Sequence, residues 1–412
     1  MKILYLSRWF PFPPDNGVKM RLFQLIKALA GSHTVDLISF YAQSPDIKLS
    51  QPLAALCRRI ETVQYRPFNP NRFKALVGFL ADRPRFLVDT FQPEMAAKVT
   101  RAFESENYDL VIASEIDMAP YAEPLHGTAL LFEGPEISSY LDGLNQVKIT
   151  PALLRKQATW WKLSRYLNKL SRVFDGWAVV SDQERRNLMR ISSALSRAQV
   201  IPNGADLERK PSRPVTPQPG RLIYAGSLTY QANFDAVYYF LNEIFPLILD
   251  KYPAAMFYVT GNHDNVDVSR LPSSPNLVLT GHLPDIAAAV AESWVSVVPL
   301  RKGSGTRLKI LESLSLGTPV VSTSKGCEGL DLIPGSHILI GDDPASFAEQ
   351  VNRILESVDL RSQLSQQGRQ LVQQKYDWNT IGASFRIFAE DVSREHSGSG
   401  QNVASSRFQQ VL

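Results

Sequence analysis

The chain has 412 residues, 44% hydrophobic and 20% charged, which suits two ordinary soluble domains and excludes a disordered, collagen-like or coiled-coil chain. Lysine and arginine number 44 against 40 aspartate and glutamate, too even a balance for wholesale nucleic-acid binding, so any basic partner surface is local. Cys57 and Cys327 lie far apart and form no CxxC pair, which excludes a disulfide scaffold or zinc ribbon and fits a reducing cytoplasm.

Residues 2–7 read as a first strand, and the apolar run is cut by Arg8, Pro11, Pro13 and Pro14, so no signal-peptide core is expected there. Nowhere do about 18 uncharged apolar residues run together, the length a spanning helix needs. Val18, Leu22, Leu25, Ile26 and Leu29 recur at helical spacing, Gly31 ends that helix, and 34–41 reads as the next strand. A βαβ crossover of this kind implies a parallel sheet. Further strands are expected near 109–113, 127–132, 176–180 and 198–201. Between 202 and 219 the chain carries Asn203, Gly204, Ala205, Asp206 and five prolines with little apolar content, a linker composition that marks a domain boundary. Beyond it the alternation resumes, with strands near 221–225, 255–260, 276–280, 294–298 and 318–321 and helices near 234–250, 284–292, 305–316 and 344–356. The reading is two α/β domains, 1–205 and 206–375, then a helix over 376–393 that completes the helical stretch begun at 358. A tail over 394–412, rich in Ser, Gly and Gln, is expected to be disordered.

Residues 145–172 hold Lys148, Arg155, Lys156, Lys162, Arg165, Lys169 and Arg172 with no acidic residue, while Leu153, Leu154, Trp160, Trp161, Leu163, Leu167 and Leu170 supply an apolar side. The pattern fits a helix binding an anionic membrane surface, and equally a domain helix packing its Leu/Trp face on the sheet. Periodicity does not separate the two. Nucleic acid is not an expected partner, since no binding motif accompanies the basic run.

The most informative run extends from Pro299 to Ser322 and joins strand, glycine loop, helix and strand. Gly303 and Gly305 let backbone approach a ligand, and Ser304 or Thr306 can cap a helix that stops at Gly317 before Pro319. A helix N-terminus carries about half a unit of positive charge, and Arg301, Lys302, Arg307 and Lys309 crowd the same residues, so an anion is the expected guest. Glu312 stands behind this mouth, where a carboxylate can accept from ribose hydroxyls. The plain alternative is a solvated helix face with a Lys309–Glu312 pair. The small residues Gly303, Ser304 and Gly305 favour the anion site, although the loop matches neither the GxGxxG nor the GxxxxGK[ST] pattern.

This run resembles the donor-site signature of GT-B glycosyltransferases of the retaining group 1 family, sequence family 4, which includes sugar transferases of bacterial polysaccharide pathways. Supporting matches span about 2–392: Pro13-Pro14-Asp15-Asn16-Gly17, Val179-Val180-Ser181, Ile201 to Asp206, Tyr224-Ala225-Gly226-Ser227-Leu228 and Thr280-Gly281-His282-Leu283. The resemblance implies a GT-B fold, two Rossmann-like parallel-sheet domains facing across a cleft, with the helix at 376–393 crossing back to the first. Gly226 and Ser227 would bring backbone to the donor diphosphate, Arg307 and Lys309 would neutralise it, and Glu312 would hold the ribose. Gly303, Ser304, Gly305 and Thr306 would line the donor loop, and Gly17 would close over the phosphates from the first domain. Two positions depart from the family pattern. Eight residues before Glu312, where the family carries its first acid, stands Ser304, and Glu133 stands where many relatives carry an acceptor-side His. Glu133 is either a group that polarises the acceptor hydroxyl or a helix-start charge.

The implied activity is transfer of a sugar, with retention, from a nucleotide-diphosphate sugar to a glycan or lipid-linked acceptor. No metal or cofactor is expected, and the protein is expected in the cytoplasm, peripheral at the inner face of the plasma membrane through 145–172. A nucleotide-sugar epimerase of the same fold and a non-catalytic sugar-nucleotide-binding scaffold are the alternatives.

Overall fold

A computed structural model of the chain describes residues 1–42, 51–141, 144, 150–303 and 307–409. It divides into two compact units, Met1–Pro202 with Ile381–Leu412, and Asn203–Thr380.

The first unit is built on seven strands: β1 (Lys2–Ser7), β2 (Thr34–Tyr41), β3 (Arg59–Gln64), β4 (Leu110–Ser114), β5 (Ala129–Glu133), β6 (Gly176–Val179) and β7 (Gln199–Val200). All pair in parallel, in the order β3-β2-β1-β4-β5-β6-β7. Ile3, Leu4, Tyr5 and Leu6 of β1 are all fully buried, as expected of a strand covered on both faces by crossover helices. Helix Gly17–Ala30 makes the first crossover, its N-cap Asn16 accepting from the Lys19 amide at 3.1 Å. β3 had no counterpart in the sequence reading. It is an edge strand, and Arg59, Glu61, Thr62 and Gln64 give it the polar character that edges tolerate.

The second unit repeats the plan with β8 (Gln218–Ala225), β9 (Met256–Thr260), β10 (Leu277–Gly281), β11 (Ser293–Val298), β12 (Val320–Ser322) and β13 (Leu339–Ile340), again all parallel, in the order β10-β9-β8-β11-β12-β13. In both sheets the strand order reverses beside the first strand, between β1 and β4 and between β8 and β11. Doubly wound sheets bind ligands beyond the carboxyl ends of the strands at such points. The helix expected over 234–250 is broken into Gln231–Tyr239, a π turn Phe240–Ile244 and Phe245–Leu249. Pro246 lacks the N–H that would continue the ladder, which accounts for the interruption.

The single stretch expected over 358–392 is two helices, Val358–Lys375 and Trp378–Gln409. At the break, the Ala205 amide donates to the Tyr376 carbonyl at 2.8 Å and Ala205 bridges Asp377. The last helix continues through 394–409, where composition suggested a disordered tail. Ser393 Oγ donates to the Asp109 carbonyl (3.2 Å) and His396 bonds Asp175 (3.1 Å), contacts within the first unit that composition does not reveal. Residues 410–412 lie outside the described residues.

Candidate functional site

The β8/β11 switch point is where the glycine loops meet. β8 ends at Ala225 and runs into Gly226 and Ser227, and β11 ends at Val298 and runs through Pro299 to Gly303. The helix after this loop spans Leu308–Ser315, shorter than the expected 305–316, with Arg307 at its N-cap position. Ser304, Gly305 and Thr306 lie outside the described residues. The helix stops as expected at Gly317, whose φ is +79°. The Thr318 amide reaches the Ser313 carbonyl (2.9 Å) and the Gly317 amide the Leu314 carbonyl (3.0 Å), a Schellman closure. Ser313 Oγ donates to Ser296 Oγ at 2.9 Å, which fixes the helix to β11.

Lys309 projects from the first turn toward the end of β8. Its Nζ donates to the Tyr224 hydroxyl (2.7 Å) and to Asn233 Oδ1 (3.0 Å), and lies 3.9 Å from the centroid of the Tyr224 ring. Asn233 uses both ends of its amide, because Nδ2 donates to the Ser227 carbonyl at 2.8 Å. The loop is pinned from the other side as well, since the Leu228 amide and Ser227 Oγ both donate to the Asn262 carbonyl, at 2.9 and 2.8 Å. A Cβ at Gly226 would stand 2.7 Å from Lys309 Nζ and 3.0 Å from Asn233 Nδ2, so any larger residue there displaces the lysine. Gly261, at φ +111°, would drive a Cβ to 2.7 Å from the Gly226 carbonyl carbon and the Ser227 nitrogen. Backbone is thus packed on backbone directly beside an ammonium. Desolvation, and secondarily the neighbouring Arg307 charge, lower the Lys309 pKa to about 7.

Arg307 is 7% exposed, and its Nη2 donates to the Gly303 carbonyl at 2.8 Å, closing the loop on itself at a glycine with φ +108°. Glu312, one turn further on, keeps 38% of its side chain exposed and faces Arg209 at 3.7 Å. Desolvation raises its pKa, opposed by the charges of Arg209 and Lys309. Arg301 and Lys302 do not join this group. Both pair with Asp235, at 3.2 and 3.0 Å, and Arg301 also lies 4.2 Å over the Tyr239 ring. The cationic mouth therefore consists of Lys309 and Arg307, with Arg209 behind. Asn233, Gly261 and Arg209 were not singled out by sequence reasoning, and Tyr224 entered only as part of a motif with no role assigned; of the three, only Gly261, a glycine directly after a strand, carried a local signal.

The first unit has its own switch point, at the ends of β1 and β4. Gly17 begins the helix that follows the β1 loop. Glu133 ends β5 and is 1% exposed. It accepts from Arg21 Nε at 2.6 Å, from Ser114 Oγ and, at 3.5 Å, from the Tyr5 hydroxyl. Arg21 Nη1 also donates to the Ile201 and Pro202 carbonyls at 2.9 and 3.1 Å, so the pair ties the first helix to the end of the sheet. A second carboxylate, Glu115, follows β4 with φ +67°, a left-handed conformation that few non-glycine residues adopt. Burial, followed by the charge of Asp117, raises its pKa to about 8, while Arg8 opposes the shift. Arg8 Nε stands 3.5 Å from Asp117, its guanidinium between the rings of Trp9 and Tyr65 at 4.1 and 4.0 Å. No sequence motif pointed to Glu115.

The basic helix spans Pro151–Leu170, and 145–149, including Lys148, lie outside the described residues. It buries Leu153, Leu163, Tyr166, Leu167 and Leu170 and leaves Leu154 and Trp161 each 55% exposed. Among the described residues no helix is long and apolar enough to cross a membrane.

Comparison with known proteins agrees with this geometry. The profile of the family described as Glycosyl transferases group 1 matches residues 219–357, the segment that contains Tyr224, Gly226, Ser227, Asn233, Gly261, Arg307, Lys309 and Glu312. An uncharacterized 44.6 kDa protein in the cps region of Klebsiella pneumoniae is 20% identical, over 95% of this chain and all of that one. The phosphatidyl-myo-inositol mannosyltransferase of Mycobacterium leprae is 22% identical, over 96% of this chain and 98% of its own. Among solved structures, Anabaena HepE in complex with UDP superposes with a TM-score of 0.64 at 15% identity, covering 96% of this chain and all of that one, a likeness of fold.

Proposed function

We propose, from the premise that this chain is a glycosyltransferase of GT-B fold with a group 1 domain at 219–357, that it moves a sugar from a nucleoside-diphosphate sugar to a hydroxyl of a glycan or lipid-linked saccharide. The observation that carries the donor half is the bare backbone of Gly226 and Ser227 against the desolvated Lys309 ammonium at a strand-order reversal. An ammonium has three N–H bonds, and among the described residues Lys309 donates two of them, to Tyr224 and Asn233, so the third is the one offered to a phosphate oxygen. As the bond from the anomeric carbon to the diphosphate breaks, negative charge builds on the departing oxygen. Lys309, Arg307 and the helix amides are already in place to receive it, and preorganised charge of this kind lowers the barrier. The acceptor oxygen forms the new glycosidic bond as its proton passes to the Glu115 carboxylate, and the nucleoside diphosphate leaves with the electron pair of the broken bond.

In this reading Glu312 binds the ribose, and Gly303, Ser304, Gly305, Thr306 and Gly17 complete the donor loops. The anomeric configuration is retained, the protein's own cations do the work of a metal, and no cofactor takes part. On the acceptor side Glu115 is the carboxylate available to a hydroxyl, since Glu133 is enclosed by Arg21, Ser114 and Tyr5 and acts by positioning. The lipid acceptor in the mycobacterial relative's name supports a lipid-linked acceptor, and the UDP in the HepE complex makes UDP-sugars the first donors to try. The protein then works peripherally at the inner face of the plasma membrane.

The test is a turnover screen over UDP-, GDP- and ADP-sugars, with mass spectrometry of products formed on lipid extracts and soluble glycans. Sugar added to an acceptor is the expected result. Epimerised donor formed without acceptor would overturn the reading.

A further inference from the structure

The first unit carries an apolar surface that the transfer chemistry does not use. Helix Phe73–Val77 and the turn after it leave Phe73 80% and Leu80 92% exposed, with Phe68, Leu76, Val77 and Phe79 exposed beside them. Single exposed apolar side chains are ordinary on a soluble protein, but six within thirteen residues form a patch, and patches mark contact surfaces.

The segment is held rigidly from beneath. Lys162 Nζ donates to the carbonyls of Gly78, Phe79 and Ala81 at 3.0, 2.7 and 2.8 Å. Arg85 donates to the Ala75 and Pro70 carbonyls at 2.8 and 2.9 Å and stacks on Phe79 at 3.8 Å. The backbone carbonyls are satisfied by the protein while the apolar side chains remain outside.

Lys162 belongs to helix Pro151–Leu170, so the patch adjoins the helix whose exposed side carries Leu154 and Trp161, seven residues apart and therefore on one face. Lys74 on the short helix and Arg155, Lys156 and Arg165 on the long one are exposed, and none forms an ion pair among the described residues. An apolar surface flanked by these four cations, against the exposed carboxylate of Asp82 just past Leu80, is complementary to an anionic lipid surface, with acyl chains for Phe and Leu and phosphates for Lys and Arg. A second copy of the chain would bring the same cations against each other across a two-fold axis.

We propose that the segment from Phe73 to Leu80 enters the interfacial layer of an anionic bilayer, with Lys74, Arg155, Lys156 and Arg165 on the headgroups. This deepens the peripheral-membrane reading above and rests on it. The penetrating element is the apolar turn, and the basic helix is its electrostatic flank.

The experiment is co-sedimentation of the full chain with phosphatidylcholine vesicles with and without about 30% phosphatidylglycerol, alongside UDP binding and thermal midpoint for each variant. The wild type is expected to bind the anionic vesicles and to be released by salt. The double variant Phe73→Glu/Leu80→Glu should lose at least about tenfold in partitioning, and Arg155→Gln and Lys156→Gln about fivefold each, with UDP binding and thermal midpoint unchanged. Loss of UDP binding in the wild type itself would bear on the donor site and leave this surface untouched. Equal partitioning of Phe73→Glu/Leu80→Glu and wild type overturns the proposal. So does a change from dimer to monomer in that variant without any vesicle binding by the wild type, which would assign the patch to self-association.

Discussion

Gly261→Ala tests the donor cradle without touching a charged group. The new Cβ would stand 2.7 Å from both the Gly226 carbonyl carbon and the Ser227 nitrogen, and 2.9 Å from the Gly226 oxygen. These are backbone atoms with no rotamer to change, and ordinary contact begins about 0.7 Å further out, so the Gly226–Ser227 turn must retreat by most of that distance. Ser227 is bonded to Asn262 by its hydroxyl, so the two loops cannot separate freely. Misplacement by about 1 Å at a reacting centre costs on the order of a hundredfold, and that is the expected fall in kcat/KM for the nucleotide sugar. The φ of +111° adds conformational strain of about 1–3 kcal/mol, visible as a lower thermal midpoint. Gly335→Ala separates the two effects, since Gly335 has φ +82° with nothing within 4 Å of its Cβ position. It should lower the midpoint in the same way and leave kcat/KM intact. If Gly261→Ala turns over donor as well as Gly335→Ala does, the turn is not a phosphate cradle.

Three further outcomes follow from the titrating and buried groups. Free Lys309 loses its charge above about pH 7 and a diphosphate favours the charged form, so nucleotide binding should take up a proton above that pH and weaken as pH rises. Calorimetry in buffers of different ionisation enthalpy reads this, and Lys309→Arg should abolish the uptake, because arginine stays charged. Glu115 must be ionised, with a pKa of about 8, while Lys309 must stay charged, with a pKa of about 7, so kcat/KM should rise up to about pH 7, stay level to about pH 8 and fall above it. Glu115→Gln should remove the acid limb and bring the alkaline break down from about 8 to about 7, and an unaltered profile excludes Glu115 from the reaction. Arg21→Met strands the buried Glu133 carboxylate and should destabilise the first unit by about 3–5 kcal/mol, with donor binding retained; a loss below about 1 kcal/mol in denaturant unfolding would show that the pair does not organise that sheet.

The repeated βαβ alternation was legible because its strands are apolar runs separated by turn residues, and Gly317 marked a helix end that local chemistry alone decides. β3 escaped notice because an edge strand with Arg59, Glu61 and Gln64 has no such run. The glycine loop and the Lys309–Glu312 spacing stood out in the sequence, yet the charge count at the mouth did not follow from it. Arg301 and Lys302 are both held by Asp235, which offsets one of their two charges and lies 66 residues before Arg301, and only the fold brings that carboxylate to them. Asn233 and Gly261 act through contacts with Lys309 and Gly226 that likewise have no local signature. Glu115 is distinguished by a backbone angle and by burial, neither of which is written in its neighbours.

The most direct measurement is the turnover of nucleotide sugar by Lys309→Ala beside the wild type, with UDP binding followed in the same samples. Turnover is expected to fall on the order of a hundredfold and UDP affinity to fall with it, in a protein whose thermal midpoint is not lowered. Wild-type turnover by Lys309→Ala would contradict it.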